Sequence, residues 1–279
     1  MANFEALTAS DALLFEQLEA ANLSAQVETL SQHGVLPESH SLRIGSAVAA
    51  ITHARFGRKL NHVVGLGMSA ATSASELNAI EEAYANIGCP VEIDLCPFAN
   101  TSTLDLLRKR GYAVNAFANT YAYRNLMDLE QSADTSAVTV REMAESEIED
   151  FQEWSVAGFA AQSNPKPLEL LKLLAISATS REDTILQVAE INGAVAGTAA
   201  VSIIDLGSVR GAHLHLASTL TQFRGQGVQA ALLRARLRQA ATAGAHLATV
   251  TARPATSSAR NAERAGFKLA YTKPTFSRS

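Results

Sequence analysis

Two apolar runs, Ile185 to Ile191 and Ala194 to Ile204, are joined by nothing but Asn192-Gly193. Asn-Gly accommodates the two positive-φ positions of a type I′ turn, whose twist matches that of paired strands, so the dipeptide predicts a tight antiparallel hairpin. The second run is interrupted by Gly197, Thr198 and Ser202. It falls far short of the roughly 20 residues that cross a bilayer, and reads as a buried strand.

Periodicity places further elements around the hairpin. Ala137 to Met143 reads as a strand and Glu145 to Ala160 as a helix, followed by a second helix, Pro167 to Ser177, rich in leucine. After the hairpin come a strand from Ala212 to Leu220, a loop from Thr221 to Gln226, and a helix from Gly227 to Ala243 that Gly244 stops. Leu247 to Thr251 resumes as strand, Ser257 to Ala265 is a short helix closed by Gly266, and Phe267 to Phe276 is extended. The order is β α α β β β α β α β.

The first half closes in the same way: a helix from Ser75 to Asn86 stopped by Gly88, a strand from Val91 to Leu95, Pro97, a helix from Ser102 to Lys109, then Gly111-Tyr112 and an extended tail. Its counterparts are Gly244, His246 to Ala252, Pro254 and Gly266-Phe267. The halves therefore read as a degenerate tandem repeat; the alternative is two unrelated α/β units with ordinary helix-stop glycines. The polar run Asp128 to Ser136 has no periodicity and marks the boundary between a domain of residues 1–130 and one of 136–279.

Composition narrows the class. Hydrophobic residues are 47% and charged residues 18% of the chain, enough for packed cores. Two cysteines, Cys89 and Cys96, make neither a disulfide framework nor a zinc pattern, so no metal is expected and a reducing cytoplasm fits. Met1 to Ala20 carries four acids and no basic residue, the wrong sign for a leader. Divided at Thr135, the chain has 8 Lys and Arg against 15 Asp and Glu before, and 15 against 12 after, so the halves carry −7 and +3. An acidic whole argues against nucleic acid, while the basic half suits a small phosphorylated ligand.

The chemistry centres on the run from His213 to Leu233, a strand, a short turn containing Arg224-Gly225-Gln226-Gly227, and a helix. Free N–H groups and the positive dipole end make a helix N-terminus an anion site, and glycines let a phosphate approach the backbone. The simpler reading is a tight turn. The stretch resembles the acyl-CoA pyrophosphate loop of the GNAT superfamily of N-acyltransferases, Arg/Gln-x-x-Gly-x-Gly/Ala, with Arg224, Gly227 and Gln229 at the three defined positions. Gln229 departs from the Gly/Ala of the pattern. The strand order and the helix from Arg260 to Gly266-Phe267 also resemble the family, so the likeness covers roughly residues 137 to 276. It implies an α+β fold, layered in the α/β sense, of two tandem GNAT-like domains, each a mixed, mostly antiparallel sheet flanked by helices.

The resemblance further implies acetyl-CoA as acyl donor. Ala217, Ser218 and Thr219 would pair with the pantetheine amides, Arg224, Gly225, Gln226, Gly227, Val228 and Gln229 would take the pyrophosphate, and Ser258 and Asn261 would lie near the pantetheine or adenine. The tyrosine that many members place four residues before the closing glycine is Ala262 here, which leaves Tyr271 as the alternative acid. A thiolate of pKa near ~8.5 leaves without much help, so acyl transfer survives that loss.

An amine acceptor must lose a proton before it attacks a thioester. Strand alternation puts His213 and His215 on one face, and His215, then His213, is the candidate base, against a reading of both as hydrogen-bonded sheet residues. Glu190 is the carboxylate alternative, with Asp205 of the same standing; each also reads as a solvated surface charge. Arg234, Arg236 and Arg238 read as a solvated helix face or as added field for a nucleotide phosphate. The first half has Ser69 to Glu76 where the loop would stand, without glycine or arginine, and is expected to bind no CoA and to wall the acceptor site; His62 is read as structural. The expected activity is transfer of an acetyl group from acetyl-CoA to a small-molecule amine by direct attack in a ternary complex, with no nucleic-acid or membrane partner, in a monomer or homodimer. Two other classes stand beside it: a non-catalytic acyl-CoA-binding regulatory or scaffolding protein, and aminoacyl transfer from tRNA.

Overall fold

The computed structural model describes residues 6–129, 137–160 and 167–278. Most of the polar run taken as a boundary, Glu130 to Ser136, lies outside the described residues. The helices are α1 (Ala9–Gln32), α2 (Ala74–Asn86), α3 (Thr101–Lys109), α4 (Ile148–Ala160), α5 (Leu168–Thr179), α6 (Val228–Thr242) and α7 (Ser257–Arg264). The strands are β1 (His40–Ile44), β2 (Ala47–Ile51), β3 (Val63–Val64), β4 (Glu92–Asp94), β5 (Ala113–Tyr123), β6 (Val138–Glu142), β7 (Thr184–Ile191), β8 (Ala194–Asp205), β9 (Arg210–Thr219), β10 (Leu247–Ala252) and β11 (Lys268–Ser277).

All eleven strands form one sheet in the order β1-β2-β3-β4-β11-β5-β10-β9-β8-β7-β6. Among the described residues, only β3 with β4 and β9 with β10 pair in parallel. The sheet is mixed and mostly antiparallel with helices on both faces, as expected. Its centre is an exchange of strands. β5, from the first half, lies between β10 and β11 of the second, and β11 in turn separates β5 from β4. Each half thus completes the other's sheet.

The Asn192-Gly193 turn has φ of 52° and 77°, and β7 pairs with β8 from Ile191↔Ala194 onward, so the hairpin is as the dipeptide predicts. β3 is only two residues long, because Gly65 and Gly67 adopt φ of 78° and 74° and turn the chain away. Among the elements up to Ile51, β1, β2 and one long helix were not anticipated. The acidic N-terminus forms α1, a 24-residue helix capped by Thr8 and Asp11.

On one face α2, α3, α6 and α7 cover the sheet, with Leu77, Ile80, Leu107, Leu233, Leu237 and Ala262 in the two main cores. The other face holds α1, α4 and α5. There α1 runs across the strand exchange, packing on β2 and β3 of the first half and on β8, β9 and β10 of the second. Its Ala12, Phe15, Leu23 and Leu30 are buried, and so are Glu16, Glu19 and Asn22. Buried polar side chains on one helix need partners from the strands beneath it.

Candidate active site

β9 and β10 are hydrogen-bonded only from Gly211↔Leu247 to His213↔Thr249. Beyond that point the two parallel strands part. β9 also breaks step with β8: Thr198 faces Ser218 and Ala200 faces His215, so Leu216 and Ala217 together oppose Ala199 in a bulge, with Leu216 at φ 50°. Beneath the bulge Arg236 of α6 is 2% exposed and donates to the carbonyls of Leu232, Ala200 and His215. Burial pushes its guanidinium down to about 9, which still leaves it charged at neutral pH. Arg236 is thus no solvated helix residue. It holds the carbonyls that the broken ladder leaves without partners.

Past the bulge, Ser218 is 2% exposed and bonds to Thr198 Oγ1 at 3.1 Å. Two glycines make room for it. A Cβ at Gly158 of α4 would stand 2.4 Å from Ser218 Oγ, and one at Gly197 of β8 would stand 2.5 Å from the Ser218 carbonyl. The segment Ala217 to Thr219 is thereby held against β8, while its ladder to β10 has already ended.

This segment leads through a short turn into α6. Gly225 and Gly227 have φ of 77° and 84°; Gly227 is the N-cap, and no side chain caps the helix. The first intrahelical bond at this end is Ala231 N to Gly227 O, so the N–H groups of Val228, Gln229 and Ala230 lie in the unsatisfied first turn. Gln229 folds back onto Thr219 Oγ1 at 2.7 Å, and Arg224 donates to the Gly158 carbonyl at 3.3 Å. The matching end in the first half is closed: Ser73 and Glu76 form a capping box on α2. On α7 Ser258 is exposed and Asn261 half-buried.

The histidines lie on the face under α1. His213 is buried, with Nδ1 3.0 Å from Thr249 Oγ1. Burial, only partly offset by Glu19, pushes it down to about 4. His215 is half-buried, with Nε2 2.9 Å from Ser202 Oγ. Burial, aided by Arg181, His213, Arg236 and Lys59, holds it well below the usual histidine value. The two rings stack with centroids 6.4 Å apart. Both are therefore neutral imidazoles at neutral pH, beside the bulge.

Glu190 is not brought to them. It pairs with Arg141 of the edge strand at 2.8 Å, and on β7 it lies four residues beyond Leu186, the partner of Ala200. Asp205 is exposed and binds Arg210 and the Gly207 N–H. Tyr271 donates to Glu16 Oε1 at 2.8 Å in the interior. Ala262 is packed in the core, as is Phe151, with Trp154 against it.

A buried charge network from both halves adjoins the histidines. Lys273 of β11 bonds to Glu16 at 3.1 Å and Glu19 at 2.8 Å, and Arg58 pairs with Asp94, which also accepts from Thr275 at 2.6 Å. Glu19, His62 and Asp94 each bring a ligand atom within 4.8 Å of the others. Lys273 is shared between Glu16 and Glu19, and Arg58 pairs with Asp94. Of these residues the sequence singled out His62 alone, because the network is drawn from α1, residues 58–62, β4 and β11. Leu216 of the bulge packs with Phe56 and Leu60 of the first half and with Leu170, Leu173 and Leu174 of α5.

A layered mixed sheet whose parallel central strands part beside a bulge, above an uncapped glycine-led helix, is the GNAT fold. Solved structures share it over nearly the whole chain. A GCN5-related N-acetyltransferase from Kribbella flavida aligns with TM-score 0.61 and 19% identity, covering 91% of this chain and 95% of that one. One from Sphaerobacter thermophilus gives 0.59 and 17%, covering 98% and 94%. A functionally unknown conserved protein from Staphylococcus epidermidis gives 0.56 and 13%, covering 88% and 96%. No curated protein matches the sequence. Residues 142–267 match the model of the Acetyltransferase (GNAT) family. Among the described residues, no helix is long and apolar enough to cross a membrane.

Proposed function

We propose that the protein transfers an acyl group, most simply acetyl, from acetyl-CoA to the amine of a small molecule. The observation that carries the reading is the continuity between the parted strands β9 and β10 and the open N-terminus of α6. Ala217 to Thr219 offer a backbone edge to the pantetheine amides, and Arg224 to Gln229 offer positive-φ glycines and free N–H groups to the pyrophosphate. Ser258 and Asn261 lie on the following helix, toward the rest of the nucleotide. In this reading residues 136–279 form the acyl-CoA-binding unit, and residues 1–130 form a related, non-catalytic unit that walls the acceptor site with Phe56 and Leu60.

His215 is the base we favour, with His213 behind it, because a neutral imidazole beside the bulge holds a lone pair for the acceptor's proton. Glu190 is set aside, since Arg141 occupies it away from the bulge. The acceptor nitrogen bonds to the acyl carbon and its proton passes to the imidazole. The C–S bond breaks with its electron pair on sulfur, and the thiolate takes up a proton, restoring the neutral base. No cysteine lies near the loop, so transfer is direct.

Calorimetric titration with acetyl-CoA and with CoA tests the reading. Wild type is expected to bind both, and Arg224→Ala and Gly227→Trp each to weaken binding at least tenfold. Absence of binding by wild type would refute it. Binding without CoA release across a panel of amines would favour the regulatory acyl-CoA-binding alternative.

A further inference from the structure

The hydroxyls beside His215 form a directed chain that ends on a carboxylate. His215 Nε2 lies 2.9 Å from Ser202 Oγ, Ser202 Oγ lies 2.9 Å from Thr184 Oγ1, and Thr184 Oγ1 donates to Asp183 Oδ1 at 2.9 Å. Three adjacent strands carry it. Thr184 of β7 and Ser202 of β8 are direct register partners, and His215 of β9 reaches the same serine, while Asp183 immediately precedes β7. Arg181 grips Asp183 through two bonds of 2.8 Å and holds its carboxylate in place.

Counting protons gives the chain a direction. A carboxylate only accepts, so the single Thr184 proton is committed to Asp183. The Thr184–Ser202 contact then requires the Ser202 proton. Asn22 Oδ1, 3.3 Å from Ser202 and already accepting from Arg181 at 2.9 Å, competes for that same proton and reverses nothing. With its proton spent on either neighbour, Ser202 can only accept from the imidazole. The opposite direction would place two lone-pair-bearing oxygens, one of them anionic, 2.9 Å apart at Asp183. Nε2 is therefore the protonated nitrogen. Nδ1 has no hydrogen-bond partner among the described residues, and His215 is half-buried, not sealed.

We propose that Ser202, Thr184 and Asp183 are positioning residues that lock His215 in the Nε2–H tautomer, so that Nδ1 is the lone pair that receives the acceptor's proton. The proposal rests on His215 as base and deepens that reading. It assigns a purpose to a pair of hydroxyls, Ser202 buried and Thr184 half-buried, on the interior face of the sheet. As in other hydrogen-bonded bases, a partner on one ring nitrogen decides which other nitrogen is free to react.

The test reads the tautomer directly, without an acceptor. Long-range proton–nitrogen NMR of histidine-labelled protein is expected to show one His215 form, with a pyrrole-type Nε2 and a pyridine-type Nδ1. Ser202→Ala and Thr184→Val should give a mixture of tautomers, and Thr184→Ser, which keeps the hydroxyl, should retain the single form; a thermal melt of each variant establishes that it is folded. A wild-type Nδ1–H form, or variants with unchanged spectra, would overturn the chain. Once an acceptor is known, Ser202→Ala should lower kcat about tenfold or more with an unchanged KM for acyl-CoA. Full turnover by His215→Ala would overturn the base reading, and the spectra would still decide the chain on their own.

Discussion

His213 sits where burial outweighs the attraction of Glu19 and pushes its titration from the ordinary histidine value of 6.5 to about 4. An unfolded chain takes up a proton there below about pH 6.5, whereas the folded chain refuses it until about pH 4. Stability from this group is therefore complete above pH 6.5 and declines as pH falls toward 4, by about 1.4 kcal/mol per pH unit. His62 behaves alike, pushed by burial to about 4 against the pull of Asp94. Asp94 acts in a lower window. Burial alone would raise it, but His62, Arg58 and Lys273 bring it to about 2, so its contribution is present above its unfolded value of 3.8 and lost between there and about pH 2. Urea midpoints measured from pH 7.5 to 5.0 should fall, and His213→Gln should flatten the slope by about one proton. A midpoint constant over that range would contradict this reading.

Two glycines around Ser218 decide how closely α4 and β8 approach the end of β9. In an exposed helix interior Gly→Ala stabilises by about 1 kcal/mol. At Gly158 the sign is expected to reverse, because the new Cβ would lie 2.4 Å from Ser218 Oγ, 2.7 Å from its Cβ and 3.1 Å from the Thr219 nitrogen. Gly158→Ala should cost about 1–3 kcal/mol in denaturant unfolding and weaken acyl-CoA binding by displacing Ala217 to Thr219. An unchanged melt with unchanged calorimetry would show that α4 yields freely. The loop and its helix were legible in the sequence because Arg224, Gly225 and Gly227 are contiguous. Gly158 was not, since its function depends on a neighbour sixty residues along the chain. Arg236 was misleading for a related reason. Its place among other arginines suggested solvent, yet it faces the sheet.

Across the whole molecule, the exchange of β5 and β11 makes each half's sheet depend on the other. A fragment of residues 137–279 would leave β10 without β5 and β11 without either of its neighbours, exposing unpaired edges. That fragment alone should show no cooperative melt, and co-expression with residues 1–129 should restore one, along with a co-eluting complex. A stable, monomeric 137–279 would mean that the exchange is dispensable. Local order was written in the sequence by itself: the Asn-Gly hairpin, the helices with their stop glycines, the echo between the halves and the glycine-led helix start all arise from residues near one another in the chain. Tertiary structure alone decided the strand exchange, the placement of α1 over the seam, and the meeting of Glu19, His62, Asp94 and Lys273 beside the histidines. Those contacts join segments up to some 250 residues apart, and no local pattern encodes a partner that only the folded sheet brings within bonding distance.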